Sequence, residues 1–339
     1  MKISVVIPTH NRADALELTL LHLSQQQLDA PWEVVVVNNR CTDNTDEVVT
    51  GRSFPAPLRL VHEATPGPAA ARNAGARQAA GEYLLFMDND IVVEPDYLKR
   101  HLEALSSHPQ CWIVAQVVNL PEQEKTPFGR FRKSLFPFYS TEQPPFETDA
   151  ITAQCLSLPR ADFEALGGFD ESFFVASGED RELLMRAKAA RGTRLILDPN
   201  ILVLHNDWAG ATIEDFCRRH RLYTQTEPLF WRKYGDSYPR QELVKQNSPP
   251  NWNSDSLVLI VRKKLKQLVG SRMGQRVLFV ACAAFERTWP WPPLLWRLYR
   301  YAAAGAIYRG FQEGLAGASS PSSVETRGVK SVAGYAGQK

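Results

Sequence analysis

Apolar positions in the first hundred residues switch between two periods. "KISVVIP" is a short β-branched run that reads as a strand. Asn11 and Asp14 then mark a helix start, followed by Leu16, Leu20 and Leu23 at helical spacing. "WEVVVV" reads as a second buried strand, and the polar turn "NNRCTDNT" opens a helix into Val48. "LRLVHE" gives a third strand, "PAAARNAGARQAA" an alanine-rich helix, and "EYLLFM" a strand that runs straight into Asp88. The order β-α-β-α-β-α-β predicts an α/β fold with a Rossmann-like, mostly parallel sheet flanked by helices. In such sheets ligands sit beyond the carboxyl ends of the strands, where Pro8 to Arg12, Asn38 to Thr42 and Asp88 to Asp90 all fall.

Further along, "CWIVAQVV" predicts a strand, and the proline- and aromatic-rich "KTPFGRFRKSLFPFYSTEQPPF" predicts a long loop of the kind that serves as a binding element or lid. Helix resumes from "PRADFEALGGFDESFF" through "GEDRELLMRAKAARG", and "TRLILDPNILVLHN" supplies one or two strands. The expected division is an α/β domain over 1–210, a helical basic and aromatic extension over 211–315, and a disordered tail over 316–339, where small polar residues dominate.

Composition changes this picture in only one place. A hydrophobic content of 44% and a charged content of 22% are ordinary for a globular chain, and the net charge of +2 averages over unlike regions. From Ser256 to Gly314, however, ten basic residues face two acids, Glu286 and Glu313. Interleaved with Trp289, Trp291, Trp296, Tyr299 and Tyr301, they suggest either contact with an anionic membrane surface or a helical pair with a solvated basic face. Neither a recognised fold nor a basic helix start favours nucleic acid. Too few apolar residues precede Pro8 for a signal peptide, and "TWPWPPLLW" falls short of a spanning helix. The five scattered cysteines suggest neither a disulfide framework nor a zinc site. A cytoplasmic protein, peripheral at most on the inner face of the plasma membrane, is therefore expected.

Several constellations carry possible chemistry. Asp88 and Asp90 leave a buried strand at i, i+2, a spacing that lets two carboxylates close on one Mg²⁺ or Mn²⁺ or, alternatively, cap the helix that follows. Glu179 and Asp180 occupy the first turn of an amphipathic helix, where acids suit the dipole; one of them can also serve as a general base. His205, ending "ILVLH", is either a hydrogen-bonded strand-end residue or a third metal ligand. Arg72 and Asn73 follow "TPGP", so that helix start either meets a phosphate or carries one exposed arginine. GxGxxG, GxxxxGK[ST], HExxH and GxSxG are all missing, which removes the main support for hydride transfer, P-loop chemistry, zinc proteolysis and serine hydrolysis.

Taken together, "SVVIPTHNR", "VVVVNNRCTDNT", "GPAAARNAGARQAAGEYLLFMDND", "GGFDESFF" and "GEDRELLMR" resemble, in order and spacing, the inverting glycosyltransferases of family 2, which have the GT-A fold. The resemblance spans about residues 2 to 210. It implies that Pro8, Thr9 and Arg12 meet the nucleoside and that Asn38 or Asn39 stands where the family commonly has an aspartate reading the base or ribose. It further implies that Asp88 and Asp90 serve the metal and ribose-phosphate, that His205 completes the metal site, and that Asp180, with Glu179 beside it, is the base. Gly167 and Gly168 match the turn that lets the acceptor-side loop approach the donor. The implied reaction is metal-dependent transfer of a sugar from a nucleotide-diphosphate sugar to a hydroxyl of a glycan or lipid-linked acceptor. The alternative is a sugar-nucleotide-binding protein or partner subunit without catalysis.

Overall fold

The computed structural model describes residues 1–135, 144–173, 177–206 and 211–317. Its first half follows the alternation in the sequence: β1 (Ile3–Thr9), α1 (Ala13–Ser24), β2 (Trp32–Asn38), α2 (Thr45–Thr50), β3 (Leu58–His62), α3 (Pro68–Gln78) and β4 (Tyr83–Met87). Next come β5 (Ile91–Val93), α4 (Tyr97–Ser107), β6 (Cys111–Asn119), α5 (Pro127–Ser134), β7 (Phe146–Glu147), β8 (Cys155–Pro159), α6 (Arg160–Ala165), α7 (Glu179–Arg191) and β9 (Arg194–His205). All nine strands form one sheet in the order β3-β2-β1-β4-β8-β6-β9-β5, with β7 pairing β9.

β3, β2, β1 and β4 are mutually parallel, as expected from their helical crossovers. Beyond β4 the sheet is mixed, because β8 runs antiparallel to both β4 and β6 while β6 and β9 are again parallel. The mostly parallel expectation therefore holds for the β3-β2-β1-β4 half of the sheet. Strands buried on both faces explain the unbroken apolar runs: Val34 and Val36 join Leu16, Leu20 and Leu23 of α1 in the main core, whereas Val35 and Val37 face Ala71 and Ala74 of α3. α3 is built from small residues because it lies close to the sheet; a Cβ on Gly75 would overlap the side chains of Val6 and Val37.

The 125–146 segment is not simply a loop. Pro127 to Ser134 form a helix with Thr126 capping Gly129 N–H and proline in its first turn. Phe128 and Phe131 are buried against helices that follow the sheet, a long-range contact invisible to local pattern. Residues 136–143 lie outside the described residues.

Among the described residues, six helices of the C-terminal region then pack on the sheet domain and on each other. α8 (Ile213–Tyr223), α9 (Glu227–Tyr234), α10 (Gln241–Asn247), α11 (Leu257–Gly270), α12 (Arg272–Thr288) and the long α13 (Pro292–Leu315) are its helices. Leu295, Tyr299, Ala302 and Ala306 of α13 pack with Phe128, Phe131 and Phe216; Phe311, nearer its end, packs with Phe173 and Phe230. Tyr299 is fully buried and Trp296 packs on Phe131, so neither stands on an outer aromatic surface as the sequence suggested. The expected tail over 316–339 lies, from residue 318 onward, outside the described residues.

Candidate active site

β4 ends at Met87, and Asp88 to Asp90 turn out of the sheet beside the ends of β1 and β9. Thr19 of α1 holds this turn: its hydroxyl lies 2.9 Å from the Asn89 carbonyl and 3.0 Å from that of Ile91, and accepts the Ile91 N–H at 3.1 Å. Asn89 donates to the Thr9 hydroxyl at 2.7 Å, which locks the turn to the end of β1. Thr9 is thereby buried against protein.

Asp90 is almost wholly buried. Its Oδ2 accepts from Arg12 Nη1 at 2.6 Å, while Oδ1 accepts no hydrogen bond and faces His205 Nε2 at 3.3 Å. Burial works against ionisation, but the charges of His205 and Arg12 outweigh it and hold the carboxyl well below the usual carboxylate range. The pairing of Ile91 with His205 across β5 and β9 is what brings that histidine to the turn. Gln154 Nε2 lies 3.3 Å from the same ring nitrogen. A neutral His205 protonated at Nδ1 would instead carry one lone pair on Nε2, which accepts from Gln154 and, released from that bond, would face Asp90 Oδ1 as a second ligand for a divalent cation. Among the described residues no group of three or more His, Cys, Asp or Glu side chains gathers as a metal site. Mg²⁺ and Mn²⁺ sites that rely on one or two protein ligands plus substrate phosphate need no such cage.

Arg72 connects this turn to the opposite wall. It is buried rather than exposed; Nη2 donates to Asp88 Oδ1 at 2.8 Å and Nη1 to Glu179 Oε1 at 2.6 Å. Its charge is thus committed to two carboxylates. Next to it Asn73 donates to the Phe169 carbonyl at 2.9 Å and accepts the Phe169 N–H at 2.9 Å. That clamp sets the glycine turn: Gly168 has φ +78, and a side chain there would strike Asn73 Oδ1.

Glu179 and Asp180 open α7 after Gly178, and their environments differ. Glu179 is buried, and burial together with the neighbouring Asp180 charge pushes its carboxyl up to about 7 despite Arg72. Asp180 is partly exposed; its Oδ2 accepts from Ala153 N–H at 3.3 Å and Oδ1 from Arg181 N–H at 2.7 Å. Burial also raises Asp180, against those two backbone bonds and the charges of Arg72 and Arg181. Arg181 lies over the Phe230 ring at 4.2 Å and pairs with Glu227 at 3.1 Å, so the C-terminal helices brace the start of α7.

Asn38 and Asn39 are both committed to the protein. Asn38 Nδ2 donates to Asp46 at 2.6 Å and its Oδ1 accepts Cys41 N–H; Asn39 donates to the carbonyls of Glu63 and Thr65 and accepts Gly67 N–H. These amides shape the loops after β2 and β3 and bind the entry to α3. Pro8 sits at the end of β1 opposite Val37. Thr19 and Gln154 are the contributors that sequence reasoning missed as parts of this site. Neither has a local pattern that sets it apart.

Comparison with known proteins agrees with this architecture. Residues 4–167, just under half of the chain, match the family model described as Glycosyl transferase family 2. Among curated relatives, an O-antigen biosynthesis protein of Myxococcus xanthus is 29% identical over 62% of this chain and 18% of its own length. A validoxylamine A glucosyltransferase of Streptomyces hygroscopicus subsp. jinggangensis is 33% identical over 55% of this chain and 51% of its own. The chain thus spans about half or less of the length of these relatives. The GT-A fold is shared with the mannosyltransferase PcManGT of Pyrobaculum calidifontis, solved with GDP-Man and Mn²⁺, at a TM-score of 0.59 and 21% identity over 92% of this chain and 88% of that one. It is shared also with S. aureus TarS in complex with UDP-GlcNAc, at a TM-score of 0.51 and 20% identity over 94% and 92%.

Proposed function

We propose that this chain is a metal-dependent inverting glycosyltransferase that moves a sugar from a nucleotide-diphosphate sugar to a hydroxyl of a glycan or lipid-linked acceptor, with Asp180 as general base. The observation that carries the reading is the Arg72 bridge between Asp88 and Glu179, which ties the turn beyond β4 to the start of α7. The GDP-Man and UDP-GlcNAc carried by fold neighbours support a nucleotide-sugar donor, and the Mn²⁺ of one of them supports a divalent ion.

Asp88 and Asp90, with His205, would hold Mg²⁺ or Mn²⁺. Such an ion supplies Lewis acidity to the departing diphosphate. Arg12 donates to one oxygen of Asp90 and, after His205, helps to keep that carboxyl ionised. Pro8, Thr9, Asn38 and Asn39 form the walls around the nucleoside; their part is shape, since the Thr9 hydroxyl and both amides are engaged by protein.

Of the two adjacent carboxylates, Asp180 is the better base because it is partly exposed, whereas Glu179 is buried and held by Arg72. As the acceptor oxygen attacks the anomeric carbon, its proton passes to Asp180. The new C–O bond forms as the bond from sugar to diphosphate breaks, and the electron pair leaves on the diphosphate oxygen. A single displacement of this kind inverts the configuration. Glu179 then serves to position Arg72, and Arg72 to orient Asp88. The sheet domain over 1–210 would supply these parts and the 211–315 extension would brace them through Arg181.

A thermal-shift panel of UDP-, dTDP- and GDP-sugars with and without Mn²⁺ tests the donor side, since a ligand that binds only the native state raises Tm. One class of sugar nucleotide should shift Tm only with Mn²⁺, and Asp90→Ala should remove the shift. A shift that is equal without metal, or unchanged in Asp90→Ala, would overturn the metal reading.

A further inference from the structure

We infer that the outward face of α11 and α12 docks the protein flat on an anionic lipid surface. Ten of the sixteen large hydrophobic side chains exposed among the described residues lie between Leu257 and Trp291, far more than scattered surface apolarity explains. They fall into two helical stripes. On α11, Val261, Leu265 and Leu268 share one side, while Ile260 and Gly270 turn to the protein; on α12, Met273, Val277 and Val280 share one side and Cys282 lies opposite.

Both helices lay their buried side on α13. Gly270 of α11 abuts Gly305, and Gln275 of α12 donates to the Ala302 carbonyl at 2.9 Å. The apolar stripes are therefore turned away from the same supporting helix. With 14 and 17 residues the two helices are too short to span a bilayer, and no helix among the described residues is long and apolar enough to do so. An in-plane pose remains, with the stripes in the acyl boundary.

Charge selects the occupant. Arg262 and Lys264 flank the α11 stripe, Arg276 and Arg287 border that of α12, and Arg272 stands at the junction; all five are exposed. Between Ser256 and Trp291 the only acid is Glu286, which accepts from the Tyr299 hydroxyl. Long cationic side chains beside an apolar stripe can reach back to headgroups while their neighbours enter the acyl region. Trp289 and Trp291, exposed and stacked at 5.9 Å and 14°, stand at the end of α12 at a depth suited to headgroup level. A second copy of the same face would oppose five cations with five cations. The basic surface thus lies on α11, α12 and their flanking tryptophans rather than on the Trp296 and Tyr299 side of α13.

These residues are separate from the candidate active site, so the docking surface and the transfer reaction can fail independently. The test is co-sedimentation of the full chain with vesicles of phosphatidylcholine alone or with about one-third phosphatidylglycerol, at low and high salt. Val261→Asp/Val277→Asp and Lys264→Gln/Arg276→Gln change only exposed positions and should leave nucleotide-sugar thermal shifts unaltered. Binding is expected only to the anionic vesicles and to fall with salt. It should weaken on the order of 25-fold in the double glutamine variant, at about fivefold per cation, and drop to background in the double aspartate variant. Equal binding to neutral vesicles, no binding at low salt, or binding unchanged in both variants would overturn the proposal. So would a lipid-free dimer that the aspartate variant dissolves, which would assign the face to a second copy.

Discussion

Replacing Glu179 with glutamine should stabilise the protein, and only above mildly acidic pH. In the folded state the Glu179 carboxyl is pushed up to about 7 from 4.5, first by burial and then by Asp180, with Arg72 offsetting part of it. A folded pKa above the unfolded one means that the folded state binds the proton more tightly. The stability this provides is complete below about pH 4.5 and is lost as pH rises through about 7. The difference of roughly 2.5 units corresponds to about 3 kcal/mol of strain once the group ionises. Glutamine resembles the protonated acid, so wild type and Glu179→Gln should unfold alike near pH 4 and diverge by about 3 kcal/mol near pH 8. Asp180 would also lose a like-charged neighbour, which acts in the same direction. Urea titrations of both proteins across that range would read the gap as a midpoint about 1 M higher for the variant at pH 8. Titrating groups that do not touch Glu179 are common to both and cancel. A variant that is less stable at pH 8, or a gap that does not change with pH, would refute the assignment of Glu179 as a buried, strained carboxyl held for the orientation of Arg72.

Asn38→Asp should destabilise the chain by about 1–3 kcal/mol near neutrality, because Asn38 Nδ2 now donates to Asp46 at 2.6 Å and the change would oppose two carboxylates. Asp46 is held below its ordinary range by the Asn38 hydrogen bond and then by His62, so the penalty should shrink as pH falls and the repulsion is titrated away; denaturation at two pH values checks this. Phe128→Ala should cost about 3–5 kcal/mol by urea titration, since its ring contacts Phe216 and Tyr299 and joins α5 to the C-terminal helices. The transferred sugar should carry the opposite anomeric configuration to the donor by proton NMR; retention would exclude a single displacement.

The strand ends were legible because a buried apolar run that stops at a carboxylate or amide leaves few options for that group; Asp90 meets His205 there, while Asp88 is held by Arg72. The burial of Arg72 was not legible: an alanine-rich helix has no strong apolar stripe, so nothing in its period distinguishes an arginine facing the protein from one facing solvent. Thr19 reads as an ordinary helical residue, yet its hydroxyl clamps the Asp88–Asp90 turn from another element. The same limit applies to α5, whose aromatic residues read as loop until α8 and α13 supply the surface that buries them. Asn38 and Asn39 were located correctly at the end of β2, but the direction of their amides depends on Asp46 and Glu63, which lie elsewhere in the chain. Residues far apart in sequence set these outcomes.

The most direct test is the single-turnover transfer rate of Asp180→Asn with donor bound. If Asp180 accepts the acceptor proton, the rate should fall by about 10²–10⁴-fold while donor affinity stays within a few-fold of wild type. A rate close to that of wild type would contradict it and move the proton to another group.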